Sequence, residues 1–314
     1  MVAVLRRVVW PDGKKFAFTI LDDTDRSTVA NIKPVYDFLA TCGLRTTKTV
    51  WALAPTVNTG LGGETLADPA YRDFVLDLHA KGFGVAFHGA TSHDSLRERT
   101  LEAIELFKTL FGCSPRSHAN HHANRDNMYW GASRLTSPAW RAVYRLATLG
   151  KNRRFEGHDP QSPYFWGDLC KENIRYVRNF VFREINLFNI NPTFPYHDPS
   201  KPYVNFWFSS TEASSVESFC HVLRPSEVDR LEREGGVCIA YTHLAAQFFA
   251  NGTLDAEFKR TIEHLAARQG WFVPIWELLD YLCGIGVGGK EIPPAELAAM
   301  ERRWIMEKLR HGTS

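Results

Sequence analysis

Short apolar runs that alternate with helical patterns constrain the fold of this chain more than any other feature. The helical segments begin at capping residues or first-turn prolines, such as Asp68 followed by Pro69, and several end at a glycine. The apolar runs predict strands at residues 16–21, 47–54, 83–88, within 116–121, and at 237–243 and 271–274. Strands and helices that alternate at this spacing form parallel βαβ units.

Seven or eight such units in 314 residues predict a (β/α) barrel, with a doubly wound open sheet as the alternative. A glycine-rich phosphate loop after the first strand would favour the open sheet, but that strand runs into LDDTD (Leu21–Asp25), which has no glycine. The later GIGVGG (Gly284–Gly289) lies between helices, whereas a dinucleotide fingerprint needs a strand before it. We therefore expect one α/β barrel domain over residues 1–314.

Charge and cysteine content narrow the partners and the compartment. The 37 Lys and Arg residues against 35 Asp and Glu residues leave a net charge of +2, which gives no indication of nucleic-acid binding. No apolar run reaches the length of a membrane span, and Met1–Trp10 is too short and too early-charged for a signal-peptide core. The six cysteines include no C-x-x-C pair, so we expect free thiols and a cytoplasmic protein.

Carboxylate and imidazole side chains stand at the ends of the predicted strands. Asp22 and Asp23 end the first strand, His88 ends the third with His93 soon after it, and His243 ends the late strand. The fourth strand leads into His118, Asn120, His121 and His122. In a parallel barrel these ends converge on one face, and their residue types are ligands of zinc and comparable divalent metals. We predict a metal site there, although an isolated histidine or Asp pair is more often structural.

Five segments of the chain follow one another in the order of a known set of motifs. FTILDDTD (Phe18–Asp25) is similar to a strand that ends in T-F-D-D-G. FGVAFHGATSHDS (Phe83–Ser95) is similar to a strand that leads to H-T-x-x-H, and GCSPRSHANHH (Gly112–His122) occupies the place of R-x-P-Y. GGVCIAYTHL (Gly235–Leu244) is similar to a late strand that ends in L-x-I-H, and residues 271–274 lead to a closing helix.

Over roughly residues 14–124 and 222–284 the chain thus resembles the polysaccharide deacetylase superfamily, of the NodB-homology or carbohydrate esterase family four type. The resemblance implies a distorted (β/α)₇ barrel that hydrolyses an acetamide with the help of one divalent metal ion, most often zinc. It also implies that Asp22 is the general base and His243 the general acid. By the same resemblance, Asp23, His88 and His93 are the metal ligands.

The chain departs from these motifs at two places. His88 and His93 are five residues apart, whereas the family motif spaces its histidines by four, so His121 or His118 is the substitute ligand. SHANHH stands where R-x-P-Y is expected, which leaves Arg116 as the candidate for the arginine that orients the base. His118, Asn120 and His121 can alternatively hold the substrate or tune the metal through its ligands.

The aromatic content of the chain is concentrated in one stretch. Fourteen of its 40 Phe, Tyr and Trp residues lie between residues 155 and 208, within a segment, about 155–221, that matches none of the motifs. We predict an inserted aromatic-rich β/loop segment there, with strands near 174–181 and 203–208. It forms either a carbohydrate pocket or the core of a small β-subdomain. The candidate substrate contacts are Tyr164, Trp166, His197 and Asp198.

The last helix, about residues 294–310, is amphipathic. Its apolar face consists of Leu297, Met300, Trp304, Ile305 and Leu309. This face packs either on its own domain or on a second copy in a homodimer.

These features together predict a deacetylase of N-acetylated sugars. A cytoplasmic enzyme would meet nucleotide- or lipid-linked precursors before a finished polymer, which suggests the making of a bacterial surface polysaccharide such as O-antigen. The first rival is a barrel metallohydrolase or isomerase that acts on another C–N or ester bond. The second is a barrel that binds carbohydrate without turning it over.

Overall fold

The computed structural model describes residues 8–122, 124–148 and 154–312. The strands are β1 (Phe16–Asp22), β2 (Thr47–Val50), β3 (Gly84–Phe87), β4 (Ser117–His118), β5 (Tyr176–Phe182), β6 (Tyr196–His197), β7 (Phe206–Glu212), β8 (Val237–Thr242), β9 (Phe249–Ala250), β10 (Thr253–Leu254), β11 (Gly270–Phe272) and β12 (Lys290–Glu291). The helices are α1 (Val29–Thr41), α2 (Pro69–Ala80), α3 (Arg97–Phe111), α4 (Pro138–Ala147), α5 (Gly167–Asn173), α6 (Val216–Val222), α7 (Pro225–Glu234), α8 (Ala256–Ala266), α9 (Ile275–Gly284) and α10 (Pro294–His311).

Seven parallel strands close into a barrel. The ring runs β1, β2, β3, β4, β5, β7 and β8, and it closes where β8 pairs with β1 over six residues of each strand. The β1–β2 pairing covers only Leu21 and Asp22 of β1, because β11 pairs with the other end of the same edge, over Phe16–Phe18. This wedge distorts the barrel. The predicted seven-stranded barrel is confirmed, and the open sheet is wrong.

Successive side chains of strand β1 belong alternately to two hydrophobic cores. Phe16, Phe18 and Ile20 belong to the core between the strands and the outer helices. Ala17 and Leu21 belong to a second core that includes inward residues of other barrel strands. Successive side chains of a strand point to opposite faces. The two aspartates that end β1 and begin the next loop must therefore point in opposite directions.

The aromatic-rich stretch is part of the barrel. It contains α5, β5, β6 and β7, and two of these strands, β5 and β7, belong to the ring of seven. The stretch that we expected as an insertion thus completes the barrel, since β5 pairs with β4 and β7 pairs with β8. Trp166, Tyr176 and Trp207 are fully buried. The aromatic-core interpretation therefore applies to these residues.

The C-terminal helix α10 packs on its own barrel. Leu297, Met300, Trp304 and Ile305 are buried, and the ring of Trp304 lies 5.1 Å from that of Phe180 in β5. The same indole stacks on Tyr144 of α4, with the ring centroids 5.7 Å apart. No helix in the described ranges has the length and apolar composition needed to cross a membrane.

Truncation of the α10 anchor is expected to destabilise the barrel. Trp304→Ala should lower the free energy of unfolding by about 3–5 kcal/mol, because a fully buried indole is removed from a packed site. Leu309→Ala, on the same helix but 53% exposed, should change it by less than about 0.5 kcal/mol. Urea unfolding followed by circular dichroism measures both. Equal effects of the two substitutions would contradict the packing described here.

Candidate active site

Three imidazoles surround the carboxylate of Asp25 at the carboxyl ends of the barrel strands. His121 Nε2 lies 3.3 Å from Asp25 Oδ1, and His243 Nε2 lies 3.3 Å from Oδ2. His88 Nε2 is 3.9 Å from Oδ1. The four residues follow β1, β4, β8 and β3, so the topology of the barrel brings them together from distant parts of the chain.

A second carboxylate, Asp23, lies beside this group and is held by a buried arginine. Arg178 of β5 donates to both carboxylate oxygens of Asp23, over 3.3 and 2.9 Å. His88 Nδ1 is 3.9 Å from the same carboxylate. Burial raises the pKa of Asp23 above its usual value, although Arg178 opposes the shift. Asp23 is therefore a fixed carboxylate whose protonated form is less unfavourable than that of an exposed Asp.

The orientation of His121 is set by an amide. Asn124 Nδ2 donates to the carbonyls of Thr91 and His93, so its Oδ1 is the atom that faces His121 Nδ1, at 3.0 Å. A neutral His121 must therefore carry its proton on Nδ1 and present the lone pair of Nε2 to Asp25. Two acceptor atoms then face each other across 3.3 Å, an arrangement that a cation between them stabilises.

Several atoms of the cluster that could bind a metal ion are buried and have no hydrogen-bond partner. Both ring nitrogens of His88 and Oδ1 of Asp25 have no hydrogen-bond partner. Burial holds the pKa of His88 well below its usual value, so this imidazole is neutral. An Asp, His and His set of unprotonated donors is the chemistry that zinc and similar divalent ions prefer.

The nitrogen and oxygen atoms of the cluster lie farther apart than the ligand atoms around a bound metal ion. Within the described ranges, no group of three or more His, Cys, Asp or Glu side chains is arranged so that it could hold a metal ion as placed. Ligand atoms about 2.1 Å from a tetrahedral ion are about 3.4 Å apart, which the His121–Asp25 contact meets and the 3.9 Å His88–Asp25 contact exceeds. The donor chemistry fits a divalent cation, and His88 would have to move toward it.

His243 lies on the open side of the cluster. Its side chain and that of Asp25 are 22% and 21% exposed, whereas His88 and His121 are buried. Burial lowers the pKa of His243, but the carboxylates of Asp25 and Asp23 outweigh burial and raise it above its usual value. This histidine therefore favours its protonated form at the point where a ligand can enter.

Asp22 faces away from the cluster. Its carboxylate is fully buried between β1 and α1, where Lys48 Nζ lies 3.0 Å from Oδ2 and the Tyr36 hydroxyl donates to the same oxygen over 3.0 Å. The backbone N–H of Leu244 donates to Oδ1 over 2.8 Å. The resemblance implied that Asp22 is the general base, but its carboxylate has three partners and no side open to a water molecule. The alternation along β1 gives the inward position to Asp23 instead.

His93 is also outside the cluster. Its Nε2 accepts the backbone N–H of Thr56 over 3.0 Å, and its Nδ1 lies 2.9 Å from the carbonyl of Asp94. Both nitrogens are therefore engaged in loop contacts on the far side of the turn that follows His88. The extra residue between the two histidines turns His93 toward the 54–59 loop, and His121, the substitute that the sequence left open, contacts Asp25.

The other candidates from the fourth strand have different places. Arg116 lies at the start of β4, where it pairs with Asp280 and covers Trp276, so it cannot orient a base at the opposite end of the barrel. His118 Nδ1 contacts the Phe87 carbonyl at 2.9 Å and its Nε2 contacts Asn120 Oδ1 at 3.1 Å. Asn120 also bonds both backbone groups of Met128, which fixes the loop that carries His121.

The candidates from the aromatic stretch are not gathered at the cluster. Trp166 is buried and donates to the Asp126 carbonyl over 2.6 Å, while Tyr164 lies under the guanidinium of Arg125. His197 Nδ1 contacts the carbonyl of Asn205, and the buried Asp198 binds Lys201. Within the described ranges, none of these four residues contacts Asp25, His88, His121 or His243.

Three residues of the site escaped the sequence analysis. Asp25 is part of the quoted FTILDDTD motif, and its even spacing from Asp23 was the available signal, because both then share the inward face. Arg178 was signalled by its charge in the middle of the strand predicted near 174–181. Asn124 carried no signal, since its role depends on the two loops that meet around it.

The outward carboxylate gives a prediction about stability. Asp22→Asn should lower the free energy of unfolding by about 3–5 kcal/mol, because the charge of the fully buried Lys48 loses its partner. Asp37→Asn breaks the exposed Lys33–Asp37 pair and should cost less than about 1 kcal/mol. Urea unfolding measures both, and Asp22→Asn combined with Lys48→Met should recover part of the loss. A stability of Asp22→Asn equal to that of Asp37→Asn would refute the buried pair.

Comparisons with known proteins agree with this architecture. No protein-family model matches the chain, and no curated protein matches it. Among solved structures, a candidate polysaccharide deacetylase from Mycobacterium smegmatis superposes with a TM-score of 0.52 at 13% identity, over 90% of this chain and 94% of that one.

Two further structures align with lower TM-scores. A polysaccharide deacetylase from Bacillus cereus gives 0.40 at 8% identity, over 82% of this chain and 91% of its own. A family 4 acetyl xylan esterase from Clostridium thermocellum, in complex with a cobalt ion, gives 0.41 at 12% identity, over 88% and 97%. The likeness to the Mycobacterium smegmatis protein confirms the fold that the resemblance implied, a distorted barrel of seven parallel strands.

Proposed function

We propose that this chain is a metal-dependent hydrolase that removes the acetyl group from an N-acetylated sugar. The observation that carries the proposal is the convergence of His88, His121 and His243 on Asp25 at the mouth of a deacetylase-type barrel. Asp25, His88 and His121 would hold one divalent cation, for which zinc is the first candidate because of its preference for imidazole and carboxylate ligands. Such a cation would supply Lewis-acid activation of the acetyl carbonyl and of the attacking water.

Asp23 is the proposed general base. It lies on the inward face next to His88, and the two-pronged contact with Arg178 fixes its orientation. Because burial raises the pKa of Asp23, its carboxylate accepts a proton from water more readily than an exposed Asp would. This assignment replaces Asp22, which has no free approach, and gives Arg178 the orienting role that the sequence analysis gave to Arg116.

His243 is the proposed general acid. Its raised pKa favours the imidazolium form, and its exposed edge can reach a ligand that enters the mouth. The Ser214 carbonyl lies 3.3 Å from Nδ1, so Nε2 is the nitrogen that faces Asp25, with the Tyr241 hydroxyl 3.4 Å away. From this position His243 can donate its proton to the departing sugar amine as the tetrahedral intermediate collapses.

The substrate class and the setting are parts of the same proposal. We favour an N-acetylated sugar in a nucleotide- or lipid-linked precursor of a bacterial surface polysaccharide such as O-antigen, handled in the cytoplasm. The motifs support the acetamide, and the cytoplasmic expectation from composition supports the precursor. Acetate release from N-acetylated sugars tests this function, with unrelated amides and phosphoesters as the comparison panel. Hydrolysis confined to that panel would contradict it.

The ligand assignment predicts coupled losses of metal and activity. Asp25→Asn, His88→Gln and His121→Gln should each weaken metal binding by more than ~100-fold, because the loss of a residue that only hydrogen-bonds to a metal ligand already costs ~10–100-fold. Acetate release should fall in parallel. His93→Gln is the matched control and should keep both, because Nε2 of His93 accepts from Thr56 and Nδ1 contacts the carbonyl of Asp94, both away from the cluster. Metal analysis of the purified variants and an acetate assay are the measurements. Metal loss in His93→Gln with retention in His121→Gln would reverse the assignment.

The base assignment predicts a separation of the two properties. Asp23→Asn should retain the metal while kcat falls by about 10²–10⁴-fold, the usual contribution of a general base. Arg178→Lys should lower kcat by less than Asp23→Asn does. The lysine keeps the positive charge beside Asp23, but it cannot form the contact with both carboxylate oxygens. Activity and metal content measured on the same samples test this. If Asp22→Asn retains its fold and loses turnover while Asp23→Asn does not, the base is Asp22.

A further inference from the structure

A small cationic cavity lies on the flank of the barrel beside α4. It has a volume of about 300 Å³, the lower end of the range for small-molecule sites. Its described lining residues include the cations Arg141, Arg145 and Lys201, the imidazole of His158 and four hydroxyls, among them those of Tyr129 and Ser133, and none of the lining residues is an Asp or Glu. None of these residues belongs to the Asp25 cluster.

The positive charge of this cavity is only partly balanced. Lys201 is paired with the buried carboxylate of Asp198, so its charge is compensated. Arg141 and Arg145 have no ion-pair partner among the residues that the structure describes. Arg141 donates from Nε to the carbonyl of Leu135 over 2.6 Å, which fixes the base of its guanidinium and leaves two terminal nitrogens. Two arginine charges one helical turn apart on α4 thus border the cavity.

A neutral histidine adds a directed donor. Burial lowers the pKa of His158 to about 4, and its Nδ1 accepts the backbone N–H of Tyr129 over 3.2 Å. The proton of the imidazole is therefore on Nε2, which can donate but cannot accept. Tyr129 adopts a left-handed backbone (φ 45°) and stacks on His158, with the rings 4.2 Å apart. A strained conformation that fixes a donor is typical of ligand-binding sites.

We propose that this cavity is a binding site for the phosphate of a small phosphate monoester, such as a sugar phosphate. Two uncompensated guanidinium groups match a phosphate dianion, and arginine forms strong charge-assisted bonds to its oxygens. The Nε2–H of His158 and the hydroxyl of Ser133 supply further donors. The volume admits one sugar-sized group. None of its lining residues is assigned a catalytic role, so phosphate binding at this site can be measured without the enzyme's activity.

Calorimetric titration of the full chain with inorganic phosphate, glucose 6-phosphate and glucose tests this site. The two phosphates should bind and glucose should not. Arg141→Gln and Arg145→Gln should each weaken phosphate binding by about tenfold or more, because each removes a charge-assisted contact. Arg310→Gln, an exposed arginine of α10 outside the cavity, is the matched control and should leave binding unchanged.

A second measurement distinguishes a phosphate group of the acetylated substrate from a separate phosphate ligand. Competition between glucose 6-phosphate and the acetylated substrate shows that the phosphate belongs to the substrate, and independent binding shows a separate ligand. Both results require the cavity. The proposal fails if both arginine variants bind phosphate as the parent chain does, or if Arg310→Gln weakens binding equally. It also fails if His88→Gln abolishes phosphate binding while Arg145→Gln does not, since the phosphate would then sit at the catalytic cluster.

Discussion

The buried ion pair between Asp22 and Lys48 is the contact on which the mouth of the barrel depends. A carboxylate and an ammonium group without exposure are costly unless each is matched, and here Asp22 also accepts from Tyr36 and from the backbone of Leu244. These partners lie on β2, on α1 and directly after His243. One outward side chain thus ties the end of β1 to the end of β8, which fixes the spacing of the loops that carry the acidic and imidazole groups.

The inward face of the same strand end has the opposite character. Asp25 and His88 present buried atoms without hydrogen-bond partners, a cost that is often found at functional sites. The Lys48 pair and Asn124 supply the rigidity that these unpaired groups cannot supply themselves. Within the four residues from Asp22 to Asp25, the outward carboxylate thus contributes to stability and the inward ones to the proposed chemistry.

The periodicity of the sequence was sufficient for the barrel, because strand and helix patterns are local and parallel βα units admit few closed arrangements. It was also sufficient for His88 and His243, which lie directly at strand ends. It left the choice among His93, His118 and His121 open, because the five-residue spacing of His88 and His93 marked a departure from the motif but did not show which imidazole the loops turn toward Asp25. Arg178 was missed for another reason: its partner Asp23 is 155 residues away, and only closure of the ring brings the two together.

The aromatic stretch is a second place where the sequence alone did not predict the structure. Its composition indicated a separate insertion, yet β5 and β7 lie in the ring and their apolar side chains fill the two cores. Aromatic residues are enriched both in sugar-binding surfaces and in packed cores, so composition alone cannot distinguish them. Burial distinguishes them here: Trp166 and Trp207 have no face left for a ligand. These two tryptophans therefore belong to the core, and in the proposed function Asp25 and His243 are the members of the cluster that reach solvent.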